Sequence, residues 1–323
     1  MVQTAQDDAA AAEAIEATLQ GELRLADAAM ANTRPILRHL LLNDDHSIFG
    51  DEVIARVRGL LQDVARQLVV SLAEAAEERD AQAWAHEESG ELAGAFLESP
   101  VMVAHAHALA VEWQLTERLQ ARAALDPVLS PLLQAVIASN DASLSAMAMA
   151  LLASQARFTQ HSRRMELPLA ELPRDLFHHV LMTMRAYVGD GPADQAIAER
   201  ADEALRQHYE ERKSRLGLIE RLITALRGEA ERALSLENAG VAIFLTALAI
   251  GSGQDRDAAT LCTAESQAAR LALSLSACGL KADVVAAQFV TLHPDLNLPD
   301  GMHALRPDRA AAILSFAGGD ADR

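Results

Sequence analysis

Residues 125–158 read LDPVLSPLLQAVIASNDASLSAMAMALLASQARF, and the spacing within this stretch decides the fold class. Asp126 and Pro127 are placed to open a helix, the aspartate as N-cap and the proline where a missing N–H costs nothing. Val128, Leu129, Leu132, Leu133, Val136 and Ile137 then fall in adjacent pairs every four residues, one broad apolar stripe on an α-helix. Ser139, Asn140 and Asp141 end that helix and cap the next, whose Leu144, Met147, Leu151 and Leu152 share a face. Two helices joined by about three residues fold back as antiparallel neighbours. A hairpin of this HEAT-like size cannot bury its own face and needs further helices beside it.

The rest of the chain repeats that character. Half of its 323 residues are hydrophobic, which supports a folded core, yet aromatics make up only 3%. Alanine is abundant and β-branched residues are thin, so helices are favoured over strands. Only Lys213 and Lys281 among the 28 basic residues are lysines, and with the alanine excess this suggests a GC-rich bacterial genome. The net charge of −18 opposes nucleic-acid backbones and anionic lipid, both of which select basic faces. Residues 1–100 hold 19 acids against 7 arginines, leaving −12 there and −6 on the other 223 residues. Cys262 and Cys278 lack metal-ligand or disulfide spacing and read as small core residues. The most apolar run, residues 239–250, is far short of the ~20 residues that span a bilayer, and residues 1–10 lack a signal-peptide pattern. A cytoplasmic protein without membrane contact is expected.

The pattern predicts an all-α protein in two blocks. Residues 1–99 form an acidic helical bundle region, and residues 100–323 a HEAT-like array of antiparallel hairpins, with the boundary in the polar stretch 80–99 before Pro100. Within the first block, residues 51–79 read as one long helix. Its Val57, Leu60, Leu61, Val64 and Leu68 alternate threes and fours, as in a coiled-coil seam. That seam is either a self-association surface, making a homodimer, or an internal core stripe. Gly59 weakens the helix by about 1 kcal/mol relative to alanine. Further on, residues 193–227 read as a long charged helix, and residues 236–250, 258–278, 282–291 and 310–316 as the last helices.

The segments WQLTERL (113–119), LDPVLSPLLQAVIAS (125–139) and RRMELPLAELP (163–173) resemble an alphaproteobacterial family catalogued as domain of unknown function 2336. The resemblance covers roughly the central and C-terminal two-thirds and rests on packing and turn motifs. It implies a HEAT-like helical scaffold and carries over no catalytic residue.

Chemistry-bearing motifs are scarce. Neither lysine sits in a phosphate-binding loop, and Gly251-Ser252-Gly253 reads as a helix-ending turn. His105 and His107 point about 200° apart on a helix, as two residues apart must, and the adjacent His178 and His179 diverge similarly. No metal and no cofactor is expected. Asp44-Asp45 and Glu87-Glu88 read as surface pairs, and Met147, Met149, Met182 and Met184 either pack or line an adaptable groove. The leading reading is a non-enzymatic scaffold or adaptor for a protein partner. The exposed acids Glu87, Glu88 and Glu91 would attract a basic segment of that partner. One alternative is a histidine phosphotransfer bundle using His39 or His86, the latter beside Glu87. Another is a helical enzyme of unrecognised type.

Overall fold

The structure is a computed structural model that describes residues 2–43, 51–298, 302 and 305–318, with the side chains of residues 2–12, 34, 38–43, 51, 228 and 316–318 outside that description. The described residues are all-α, without a strand. In chain order the first helices are α1 (Val2–Asn43), α2 (Asp51–Ala75), α3 (Ala81–Glu98), α4 (Pro100–Ala123) and α5 (Pro131–Ile137). Next come α6 (Ala142–Arg163), α7 (Arg174–Val188), α8 (Pro192–His208), α9 (Arg215–Leu226) and α10 (Leu236–Ala239). The last are α11 (Val241–Ser252), α12 (Arg256–Leu261), α13 (Ala268–Ala277), α14 (Ala282–Leu292) and α15 (Pro307–Gly318). Two compact units are built from them, one from Met1–Thr33, Gln114–Leu144 and Leu222–Arg323, the other from Arg34–Trp113 and Ser145–Arg221. This division differs from a boundary near Ser99, because residues 34–113 lie in a single unit.

The second unit is organised by a closed ring of four helices, in which α2 packs on α3, α3 on α7, α7 on α8, and α8 back on α2. Val57, Leu61, Val64 and Leu68 are fully buried in its core and Leu60 nearly so. The alternating threes and fours therefore mark an intramolecular stripe. The self-association seam is corrected accordingly, since these side chains leave nothing for a second copy to touch. The polar-looking stretch before Pro100 is itself a helix. Asp80 caps it by accepting from the Ala83 N–H at 3.0 Å, and Leu92, Ala93, Phe96 and Leu97 bury its inner face. Gly59 has a packing role that the sequence does not display. A Cβ there would lie 2.8 Å from the Met165 Cβ, so the turn after α6 can approach α2 only over a glycine.

In the other unit α13 packs against α11, α14 and α15, while α11 also packs against α10 and α12. Every residue of α11 from Val241 to Ala249 is buried, which is why the most apolar run of the chain has no amphipathic pattern. Gly240 separates α10 from α11 with φ +74°, and Gly253 ends α11 with φ +69°, in the left-handed region glycine adopts without strain. Asp126 accepts from the Val128 and Leu129 N–H groups, so it closes a turn and opens no helix. The helix starts later, at Pro131, with the Ser130 hydroxyl accepting from the Leu133 N–H. At seven residues α5 packs on α10, and α6 runs for 22 residues from its Asp141 cap. The expected long helix over 193–227 is also divided, into α8 and α9. No described helix is long and apolar enough to cross a membrane.

Candidate functional site

Two clefts of the second unit lie beside the division between α8 and α9. Tyr209 ends α8 and turns the chain away, and its ring stacks on Phe177 in the first turn of α7, with centroids 3.9 Å apart and planes 5° from parallel. The Tyr209 hydroxyl donates to the Leu172 carbonyl at 2.8 Å, tying the end of α8 to the turn before α7. A cleft of about 570 Å³ borders this aromatic wall, lined by Arg174, His178, Arg206 and Arg212 among others. A second cleft, of about 340 Å³, has a lining that includes Arg66, Ser71, Gln82 and His208. Phe177 and Tyr209 border both.

The second cleft has a stitched floor. The Asp63 carboxylate accepts from the Leu167 N–H at 2.9 Å and from the Gln67 amide at 2.7 Å. The same amide donates to the Leu167 carbonyl, and its oxygen accepts from the Leu169 N–H. Backbone groups of the segment between α6 and α7 are thereby satisfied by α2 side chains, which fixes Pro168 and the short 3-10 turn that begins at Leu169. Beneath the α8–α9 division sits a buried ion pair. Arg215, 2% exposed, donates to both Glu112 oxygens and lies over the Phe158 ring at 3.7 Å. The neighbouring Glu171 carboxylate accepts from the Arg215 N–H. Burial pushes it above the usual carboxylate range, opposed by that bond and by the Arg215 charge.

Several polar groups at the larger cleft are committed to partners. Glu211 accepts from the Arg174 N–H and pairs with its guanidinium, and Glu210 pairs with Lys213 at 2.6 Å. Arg206 clamps both oxygens of buried Asp202, which Arg185 also reaches at 2.7 Å. A second Arg206 nitrogen lies 3.4 Å from His178 Nδ1. A guanidinium only donates, so Nδ1 is the acceptor in this contact. Burial first, then the Glu211 charge, push the Tyr209 phenol up to about 12.

None of the candidate site residues named from the sequence lines either cleft, although His178, read there only as diverging from His179, lines the larger one and Pro168, Leu169 and Ala170 of the 163–173 motif line the smaller. Glu87, Glu88, Glu91 and His86 are exposed on α3, and the Tyr187 hydroxyl donates to the Glu88 carbonyl beside them. His39 lies on α1 with its side chain outside the described residues. His178 and His179 diverge, the second meeting the Ser99 hydroxyl at 2.9 Å. Met184 is buried, whereas Met149 and Met182 are exposed on separate helices. Among the described residues no group of three or more His, Cys, Asp or Glu is placed to hold a metal ion. Phe177 and Tyr209 escaped the sequence reading, although in a chain with so few aromatics each ring is a signal worth following. Comparison with protein-family models, curated proteins and solved structures finds no match, so the resemblance drawn from the sequence is an expectation still.

Proposed function

We propose that this chain is a non-catalytic helical adaptor that takes a segment of a protein partner across the Phe177–Tyr209 wall. The observation that carries this reading is the half-buried Tyr209 ring stacked on the buried Phe177, with two clefts bordering the pair and several of their polar groups already paired. Preorganised aromatic surface favours binding, because little side-chain freedom remains to be lost on association. The exposed acids of α3 add long-range attraction for a basic segment, an effect on encounter rate more than on final affinity.

Peptide-display selection against the full chain, followed by fluorescence anisotropy, tests the reading. Selected peptides should lose up to about tenfold in affinity with Gln82→Ala or Ser71→Ala, a loss of the order of one hydrogen bond. The triple variant Glu87→Lys, Glu88→Lys, Glu91→Lys should slow association and leave dissociation nearly unchanged. Selected peptides indifferent to every cleft variant would refute it.

A second reading, histidine phosphotransfer, is favoured by the four-helix ring together with exposed His86 on one of its helices. Incubation with radiolabelled acetyl phosphate separates the two. Acid-labile label lost in His86→Gln supports phosphotransfer, and an unlabelled protein supports the adaptor.

A further inference from the structure

The first unit contains a positively charged cluster that no part of the adaptor reading uses. Arg118 and Arg122 lie one turn apart near the end of α4. Arg122 reaches across to donate to the Thr291 carbonyl at the end of α14, which brings the cluster to His293, two residues further on. His293 is 2% exposed, its ring lies tilted against Phe289 with centroids 5.7 Å apart, and its Nε2 has no hydrogen-bond partner among the described residues.

Two arrangements here are costly. A buried imidazole nitrogen without a partner forfeits the hydrogen bond it would make in water. Like-charged guanidiniums close together, on protein that partly excludes solvent, repel each other. The electrostatics bear this out. Burial first, then the Arg118 charge, hold His293 below the ordinary histidine value, with Arg122 adding to the effect and Glu265 opposing it. Burial and the Arg122 charge hold Arg118 down in the same way, and Glu265 again opposes. Glu265 is the single carboxylate acting on both, so the cluster keeps an excess of positive charge inside a strongly acidic chain. One oxyanion would relieve both costs, accepting from the imidazole and the guanidiniums and cancelling their charge.

We propose that Arg118, Arg122 and His293 form a binding site for a phosphate group, either the free ion or a monoester. A phosphate group offers at least three acceptor oxygens to these three donors, where a carboxylate offers two.

The test titrates the full chain with inorganic phosphate against chloride at matched ionic strength, following histidine ring resonances by NMR and the melting temperature. His293→Gln assigns the ring signals by their disappearance. Saturable movement of the His293 signals and a rise in melting temperature are expected. Arg118→Gln, at an exposed position that leaves the fold intact, should weaken binding at least about tenfold. Glu265→Gln should tighten binding, an outcome that a purely structural cluster would not give. A parallel titration with O-phosphoserine assigns the source, tighter binding than phosphate indicating a monoester and weaker binding the free ion. No saturable change up to about 10 mM phosphate, well beyond a weak millimolar site, overturns the proposal, as does an affinity unaltered by Arg118→Gln.

Discussion

At Gly59 helix propensity and packing oppose each other. Propensity alone says that alanine there would strengthen α2 by up to about 1 kcal/mol. The Met165 Cβ, however, would meet a Cβ at 2.8 Å, and Met165 itself has φ +58°, so its turn has little room to retreat. Gly59→Ala should destabilise the chain by about 1–3 kcal/mol, the usual cost of overpacking. Gly94→Ala, in α3 with nothing within 4 Å of the added atom, should stabilise it slightly, and urea melts of the two variants check both signs. Glu171 gives a second residue-scale prediction. Its folded pKa is raised by burial, so its contribution to stability is full below the unfolded carboxylate value and is lost as pH rises through the folded one. Glu171→Gln keeps an oxygen for the Arg215 N–H but cannot ionise. Its stability relative to the wild type should therefore be greater at about pH 7 than at about pH 4, as melting temperatures at the two values would show.

At the scale of the element, α2 was legible in the sequence and its destination was not. The stripe Val57, Leu60, Leu61, Val64 and Leu68 predicted a helix with one apolar face, and that helix forms. Periodicity alone says that a face must be covered, never by what, and here α3 and α8 cover it. Leu61→Asp should accordingly destabilise the second unit by at least about 4 kcal/mol, because it buries an unpaired charge. It should not release a folded monomer, and circular dichroism with light scattering distinguishes the outcomes. The break between α8 and α9 was illegible for a different reason. Residues 193–227 hold helix-favouring charges throughout, but a Cβ at Gly217 would lie 2.3 Å from the Glu211 carbonyl, and Arg215 is drawn into the interior by Glu112. Tertiary pairing across 103 positions of sequence overrides local preference, and no window-based reading can see it. The clefts beside Phe177 and Tyr209 follow from that break, so they were hidden with it. Glu112→Gln should cost about 3–5 kcal/mol, since it strips the charge from the partner of a buried guanidinium, and a thermal melt would register it.

For the whole molecule, the consequence of these long-range ties is that sequence blocks and folded units do not coincide. The expected division at residue 99 would leave α2 and α3 on one fragment and α7 and α8 on the other, although the four close a single ring. Each fragment would then carry half of an apolar core. In the first, Leu61, Leu68, Leu92 and Phe96, all fully buried in the intact chain, would lose the helices packed over them. Domain stability is only about 5–15 kcal/mol in total, and fully exposing one such side chain costs roughly 1.5–3 kcal/mol. Loss of half the ring therefore exceeds what either fragment has in reserve. Residues 1–99 expressed alone should retain helical circular dichroism in part, because α2 and α3 remain paired, but should melt without a cooperative transition. Mixing them with residues 100–323 should restore a cooperative transition if the ring reassembles. A sharp, reversible melt of residues 1–99 on their own would instead establish that block as an independent bundle and show that α7 and α8 are dispensable to its core.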